Sequence, residues 1–272
     1  MFYSGSASAL RREIESTFKH NLGPGKLPEK KEGSLTRIVA LVCPHAGYMY
    51  SGPVAATAYS ALASHGRPSN IVIIGPNHTG MGSGLSLMNK GRWATPLGEV
   101  TVNSSLADSI VKNAGIIDVD DEAHIREHSI EVQLPFLQYL YGDAFSIVPI
   151  CMMIQDLETS REVGEAIASV EKESVSLVIA SSDMTHYEPH AVARRKDMQL
   201  IKAIEDLDEK ALIQVVESES ISACGIGPII ATMIYSKRRG VTRAKLLSYA
   251  TSGDVTGDRS AVVGYAAISF EV

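Results

Sequence analysis

The stretch IVIIGPNHTG, Ile71 to Gly80, runs four apolar residues into Gly75-Pro76-Asn77 and then a histidine. A short continuous apolar run closed by turn residues reads as a buried strand that stops abruptly. His78 is thereby delivered into the loop at the strand's carboxyl end. RIVALVCPHAG, Arg37 to Gly47, repeats the plan with an apolar run, a proline, His45 and a glycine. Two further runs, FSIVPIC at 145–151 and VSLVIAS at 175–181, read as strands, as do 244–251 and 261–270. Helical patterns lie between them. They cover 52–64 with Pro53 in the first turn, 104–114 behind a Ser N-cap, and 122–140 with Pro135 bending or ending the ladder. Others fall at 157–173, 190–206, 208–216 and 227–239. Continuous apolar strands separated by amphipathic helices imply an α/β fold, a three-layer α/β/α arrangement around a mostly parallel sheet covered on both faces.

The 272 residues are expected to form a single α/β domain, with an N-terminal helix and a Gly/Pro/Lys-rich loop occupying 1–36. Residues 81–103, rich in glycine, read as a hairpin-like insertion. A net charge of −6 argues against a nucleic-acid partner. No apolar run approaches the roughly 20 residues of a membrane span, and the N-terminus lacks the pattern of a signal peptide. Three cysteines with no close pair suggest reduced thiols and a cytoplasmic location. Neither phosphate-loop glycine pattern occurs, so no nucleotide cofactor is expected.

Ligands of open α/β sheets bind outside the carboxyl ends of the strands. Three predicted strands carry a histidine just past that end: His45 in CPHAG, His78 in GPNHTG and His186 in SSDMTH. Asp183 joins them at the same edge, and its spacing from His186 suits acid–base work. Cys224, in ISACGIGPII, precedes Gly225 and a helix, where the helix dipole lowers a thiol's pKa. Two imidazoles and a thiolate, His45, His78 and Cys224, make a set suited to iron, copper or zinc with open positions. Asn77, Tyr48 and Gly225 are expected around the pocket. His124, His128 and Glu131 follow an i, i+4, i+7 spacing that places them on one helical face, as a polar stripe at the pocket mouth or a subunit contact, with direct metal binding the lesser alternative because the first His lacks the following Glu of a zinc-protease motif. Cys43 and Cys151, inside apolar strands, read as small buried hydrophobes.

Taken together, CPHAGYMYSGPVAATAY, GPNHTG, ATPLGEV, EHSIEVQLPFLQYL, SSDMTHY and CGIGPI resemble the Memo family in sequence and in order, from about Pro44 to the C-terminus. The resemblance implies a fold similar to class III extradiol dioxygenases, non-haem iron enzymes that hold iron with two His and one Glu. His45 and His78 would correspond to the metal-binding histidines, Cys224 to the Glu position, and His186 to the acid–base histidine, with Asp183 lining the site. It implies iron or copper ahead of zinc, redox chemistry, and a radical-SAM protein as partner. The functional expectation is metal-dependent redox chemistry of dioxygenase type. Two alternatives stand beside it: a non-catalytic module binding a peptide or small molecule without metal, and a hydrolase with Cys224 as nucleophile and His186 as base.

Overall fold

The computed structural model describes residues 2–170 and 175–272. In chain order the elements begin with α1 (Ala7–Lys19), β1 (Ile38–Cys43), α2 (Tyr48–Ala63) and β2 (Asn70–Pro76). A cluster of short strands follows: β3 (Leu85–Leu87), β4 (Arg92–Thr95) and β5 (Gly98–Val102). Then come α3 (Ser104–Ala114), β6 (Asp118–Val119), α4 (Leu134–Tyr141), β7 (Ser146–Met152) and α5 (Leu157–Ala168). The chain continues with β8 (Leu177–Ser181), β9 (His186–Glu188), α6 (His190–Glu205) and α7 (Glu209–Glu219). It closes with α8 (Ile226–Arg238), β10 (Ala244–Thr251), α9 (Ser252–Thr256) and β11 (Val262–Glu271).

The strands join one sheet whose main path runs β10-β11-β1-β8-β2-β7-β3-β6. Its centre is parallel: β1 pairs with β8, β8 with β2 and β2 with β7. Antiparallel pairs flank it, β10–β11–β1 on one side and β3 against β7 on the other. Alternate residues of the central strands enter two separate cores. Ala40, Val42, Val72 and Ile74 pack with α3, α5, α6, α7 and α8, while Leu41, Cys43, Ile71 and Ile73 pack with α1, α2 and α4. Both faces of the sheet are thus covered, which is why the central strands are apolar without alternation. This is the three-layer α/β/α arrangement expected from the pattern.

Several local expectations shift. Helix α2 starts at Tyr48, so Pro53 lies in its second turn; the Gly47 carbonyl takes the N–H groups of Tyr50 and Ser51 and sets the start. Helix α3 is capped by Asn103, whose side chain accepts from Leu106 N, rather than by a serine. The glycine-rich insertion does contain a hairpin, β4 with β5, but β3 and β5 also pair with β7 and extend the main sheet. The last predicted positions of the helix at 157–173, from 171 on, lie outside the described residues. The largest correction is at 122–140, which is not one helix. Two 3-10 turns, Glu122–His124 and Glu131–Gln133, bracket an irregular stretch, and Pro135 opens α4 instead of bending a longer helix. The Glu127 carboxylate captures the N–H groups of His128 and Ser129, which takes both donors out of any helical ladder.

Candidate metal centre

β1, β2 and β8 run parallel and end at one edge of the sheet. From β1 the chain turns at Pro44 to His45, which is buried. From β2 it turns at Asn77 to His78, and from β8 it passes Ser182 to Asp183. The irregular stretch before the second 3-10 turn brings His128 to the same place. Nitrogen atoms of His45, His78 and His128 lie within 4.8 Å of one another, an arrangement able to hold a metal ion. The ring centroids agree, with His45 5.3 Å from His78 and 5.5 Å from His128.

The hydrogen-bond network sets which nitrogen each ring presents. Ser181 Oγ lies 2.7 Å from Gln133 Nε2, 2.6 Å from Ser129 O and 2.9 Å from His45 Nδ1. The amide nitrogen only donates and the carbonyl only accepts, so the single hydroxyl hydrogen goes to Ser129 O. His45 Nδ1 must then donate to Ser181 Oγ, which leaves Nε2 with a free lone pair. His78 reaches the same tautomer by another route, because its Nδ1 lies 2.9 Å from the acceptor-only Glu127 Oε1. A carboxylate behind an imidazole fixes ring orientation and raises ligand basicity. Burial, and then the neighbouring His128 and His78, hold the His45 imidazole well below its usual pKa and keep it neutral. Burial likewise lowers His128. Neutral imidazoles are what a metal requires.

Glu127 is the organising residue that sequence reasoning missed. Its Oε1 accepts from His78 Nδ1, His128 N and Ser129 N, and its Oε2 accepts from His78 N at 2.5 Å. Burial pushes this carboxyl up, but the His78 and Ser129 donors outweigh that and bring it down to about 2. The signal in the sequence was an acid directly preceding a histidine, masked by the helical spacing assigned to His124, His128 and Glu131. The structure separates those three. His128 enters the three-histidine group, His124 sits edge-on to Trp93, and Glu131 accepts from the Tyr3 hydroxyl. Burial drops His124 to about 4.

The other predicted residues divide between site and scaffold. Cys224 Sγ lies 3.3 Å from His45 Nε2 and 3.3 Å from the Asp183 N–H. Its thiol is not lowered by the helix dipole: burial, and then the Asp183 charge, push it up. Without a metal it is therefore a thiol. Gly225 carries the adjoining turn close to β8, where an added Cβ would stand 2.6 Å from both Ser181 O and Ser182 Cβ. Asp183 is a brace: its Oδ1 accepts from His45 N at 2.9 Å and Ala46 N at 3.4 Å. His186 is held by Ser222, its Nδ1 lying 2.9 Å from the Ser222 carbonyl. Nδ1–H must donate there, so Nε2 is left to take a proton. The hydrogen bonds of Asp183 and His186 go to separate partners. Asn77 shapes the His78 turn, its Oδ1 accepting from Thr79 and Gly80. Tyr48 is a buried pillar that donates to Val132 O and packs on Phe136. Cys43 and Cys151 are buried in their strands.

A family model described as Memo-like protein matches residues 1–269. The chain belongs to the Memo family. The match begins at residue 1, so the N-terminal stretch ahead of Pro44 is part of the family pattern as well. A MEMO1 family protein of Methanopyrus kandleri is 53% identical over 271 residues, covering 99% of this chain and 95% of that protein. Another, of Methanothermobacter thermautotrophicus, is 53% identical over 270 residues, covering 98% and 96%. Among solved structures, an uncharacterized protein from Escherichia coli K12 superposes with a TM-score of 0.59 at 14% identity, over 86% of this chain and 100% of that one. That likeness shows a shared fold. Among the described residues of this Memo family member, no helix is long and apolar enough to cross a membrane.

Proposed function

We propose that this Memo family protein binds iron or copper at the carboxyl edge of its sheet and serves metal-dependent redox chemistry in a dioxygenase-type pocket. The observation that carries the reading is the trio His45, His78 and His128, two of whose rings are locked with Nε2 free. Three imidazole nitrogens suit a first-row transition metal, and Cys224 Sγ beside His45 Nε2 offers a soft fourth donor that would favour copper or a lower iron potential. A bound ion would supply Lewis acidity and one-electron chemistry. The protein's own groups orient and shuttle. Ser181 and Glu127 aim the imidazoles, Asp183 fixes the turn at His45 and Ala46, and His186 Nε2 is available to accept a proton.

The hydrolase reading loses support at Cys224. The imidazole touching the thiol belongs to His45, and the thiol is pushed up rather than activated. Anaerobic reconstitution with Fe(II) or Cu(I), followed by metal analysis, tests the proposal. Near-stoichiometric uptake is expected in the wild type and its loss in a His45→Ala, His78→Ala double variant. Equal, weak uptake by both proteins would defeat it and leave the metal-free binding module.

A further inference from the structure

His45 and His78 are each oriented by a hydrogen bond at Nδ1, but His128 is not. Its Nδ1 stands 3.4 Å from Glu127 Oε1, an oxygen already accepting from His78 Nδ1 and two backbone N–H groups. Ring packing holds His128 instead. His78 stacks on it with centroids 4.9 Å apart and an interplanar angle of 20°. Phe2 stacks on it more tightly, at 4.1 Å and 9°. No ring contact among the described residues joins Phe2 to His78, so the two lie on opposite faces of the imidazole.

Phe2 is itself anchored. Its carbonyl accepts from Tyr48 N at 2.8 Å, at the start of α2. The next residue, Tyr3, packs on the Tyr48 ring with centroids 5.5 Å apart and donates its hydroxyl to Glu131. Ser4 N donates to Glu13 Oε2 at 2.7 Å, on α1. The N-terminal stretch is thus tied to two helices and to the 3-10 turn beyond His128, and Phe2 is its one ring against the site.

We propose that Phe2 is a positioning residue of this centre, clamping the His128 imidazole against His78 so that the third donor nitrogen stays aimed at the other two. This rests on the reading that the three histidines hold a metal. A stacked aromatic contact of this kind is worth up to about 10-fold in an affinity that depends on it. A stacked aromatic supplies orientation that a branched aliphatic of similar bulk does not.

The test compares wild type with Phe2→Ala, Phe2→Leu and Phe2→Trp by two measurements. In the metal-free protein, NMR of the His128 ring protons reads the stacking directly. Phe2→Ala and Phe2→Leu are expected to shift them downfield, and Phe2→Trp to keep them upfield. Titration with Co(II) alone, followed by its visible spectrum, reads the donor set. Phe2→Ala and Phe2→Leu are expected to weaken binding by up to about 10-fold and alter the spectrum, with Phe2→Trp close to wild type. If wild type binds Co(II) and Phe2→Leu matches it in affinity and spectrum, bulk alone matters and the proposal is overturned. If wild type binds no metal, the metal reading fails by itself. Unchanged His128 resonances in Phe2→Leu would then overturn the positioning role separately. Phe2→Leu keeps an apolar side chain at this partly exposed position, so the comparison survives if Phe2→Ala does not fold.

Discussion

His45 and His78 reach the site from β1 and β2, strands locked by parallel ladders to β8. Glu127 and His128 reach it from a stretch between two 3-10 turns that no ladder supports. The first half is positioned by backbone pairing, and the ring tautomers are trimmed by one bond each. The second half is positioned by side chains: Glu127 on two backbone N–H groups, Ser129 Oγ on Pro76 O, and ring stacking on His128. A ladder tolerates the loss of any one side chain because its bonds are shared over many residues. A loop held by a few side-chain bonds gives way when one of them is removed. The two halves should therefore fail differently.

The largest expected effect separates the donors. His128→Ala should weaken Fe(II) or Cu(I) binding by at least about 100-fold, because it deletes a member of the trio, whereas Cys224→Ala, which leaves all three imidazoles, should cost less. Isothermal titration under anaerobic conditions ranks the two. The reverse order would place the thiol, and not the loop, with the strand-end histidines.

Glu127→Gln comes next. It keeps shape but removes the charge behind His78, so affinity should drop about 10-fold or more. It also carries a pH signature in the metal-free protein. Glu127 lies below its ordinary 4.5, at about 2 in the folded state. A lowered carboxyl contributes stability that is present above the unfolded value and lost as pH falls through the folded one. Denaturant unfolding between pH 5 and 2 should therefore show wild type losing stability that Glu127→Gln never had. Parallel curves for the two proteins would show that the loop does not depend on this carboxylate.

Gly75→Ala probes the seam between the halves. An added Cβ would sit 2.4 Å from Ser129 Oγ and 2.9 Å from Ile130 Cγ1. We expect a loss of about 1–3 kcal/mol on thermal or urea unfolding, with the strain released into the loop and the β2 ladder intact. Hydrogen exchange should then rise at 127–130 and stay unchanged at 71–74. Faster exchange in β2 itself would mean that the strand, and not the loop, is the weaker partner.

The same contrast explains what was readable. The strand-end histidines were legible because a buried parallel strand leaves a long apolar run, and a Pro or Gly stop marks where the next side chain meets the crevice. His45 and His78 come from such stops; Asp183 follows β8 by way of Ser182, whereas Cys224 comes from the turn between α7 and α8 and meets His45 and Asp183 there. The loop half was misread because HIREHSIEVQL satisfies a helical period. That period lost to a long-range contact: the Glu127 side chain bonds both its own backbone and a histidine 49 residues earlier in the chain.

The sequence by itself determined the layering, the parallel centre and two strand-end histidines, since these follow from local apolar runs and turn residues. Only the tertiary structure decided that His128 lies beside His45 and His78, that Glu127 and Ser181 fix the tautomers, and that Phe2 stacks on the third ring. Those assignments depend on which acceptors are left over once distant segments meet, and a hydrogen atom's allocation among three neighbours has no local signature.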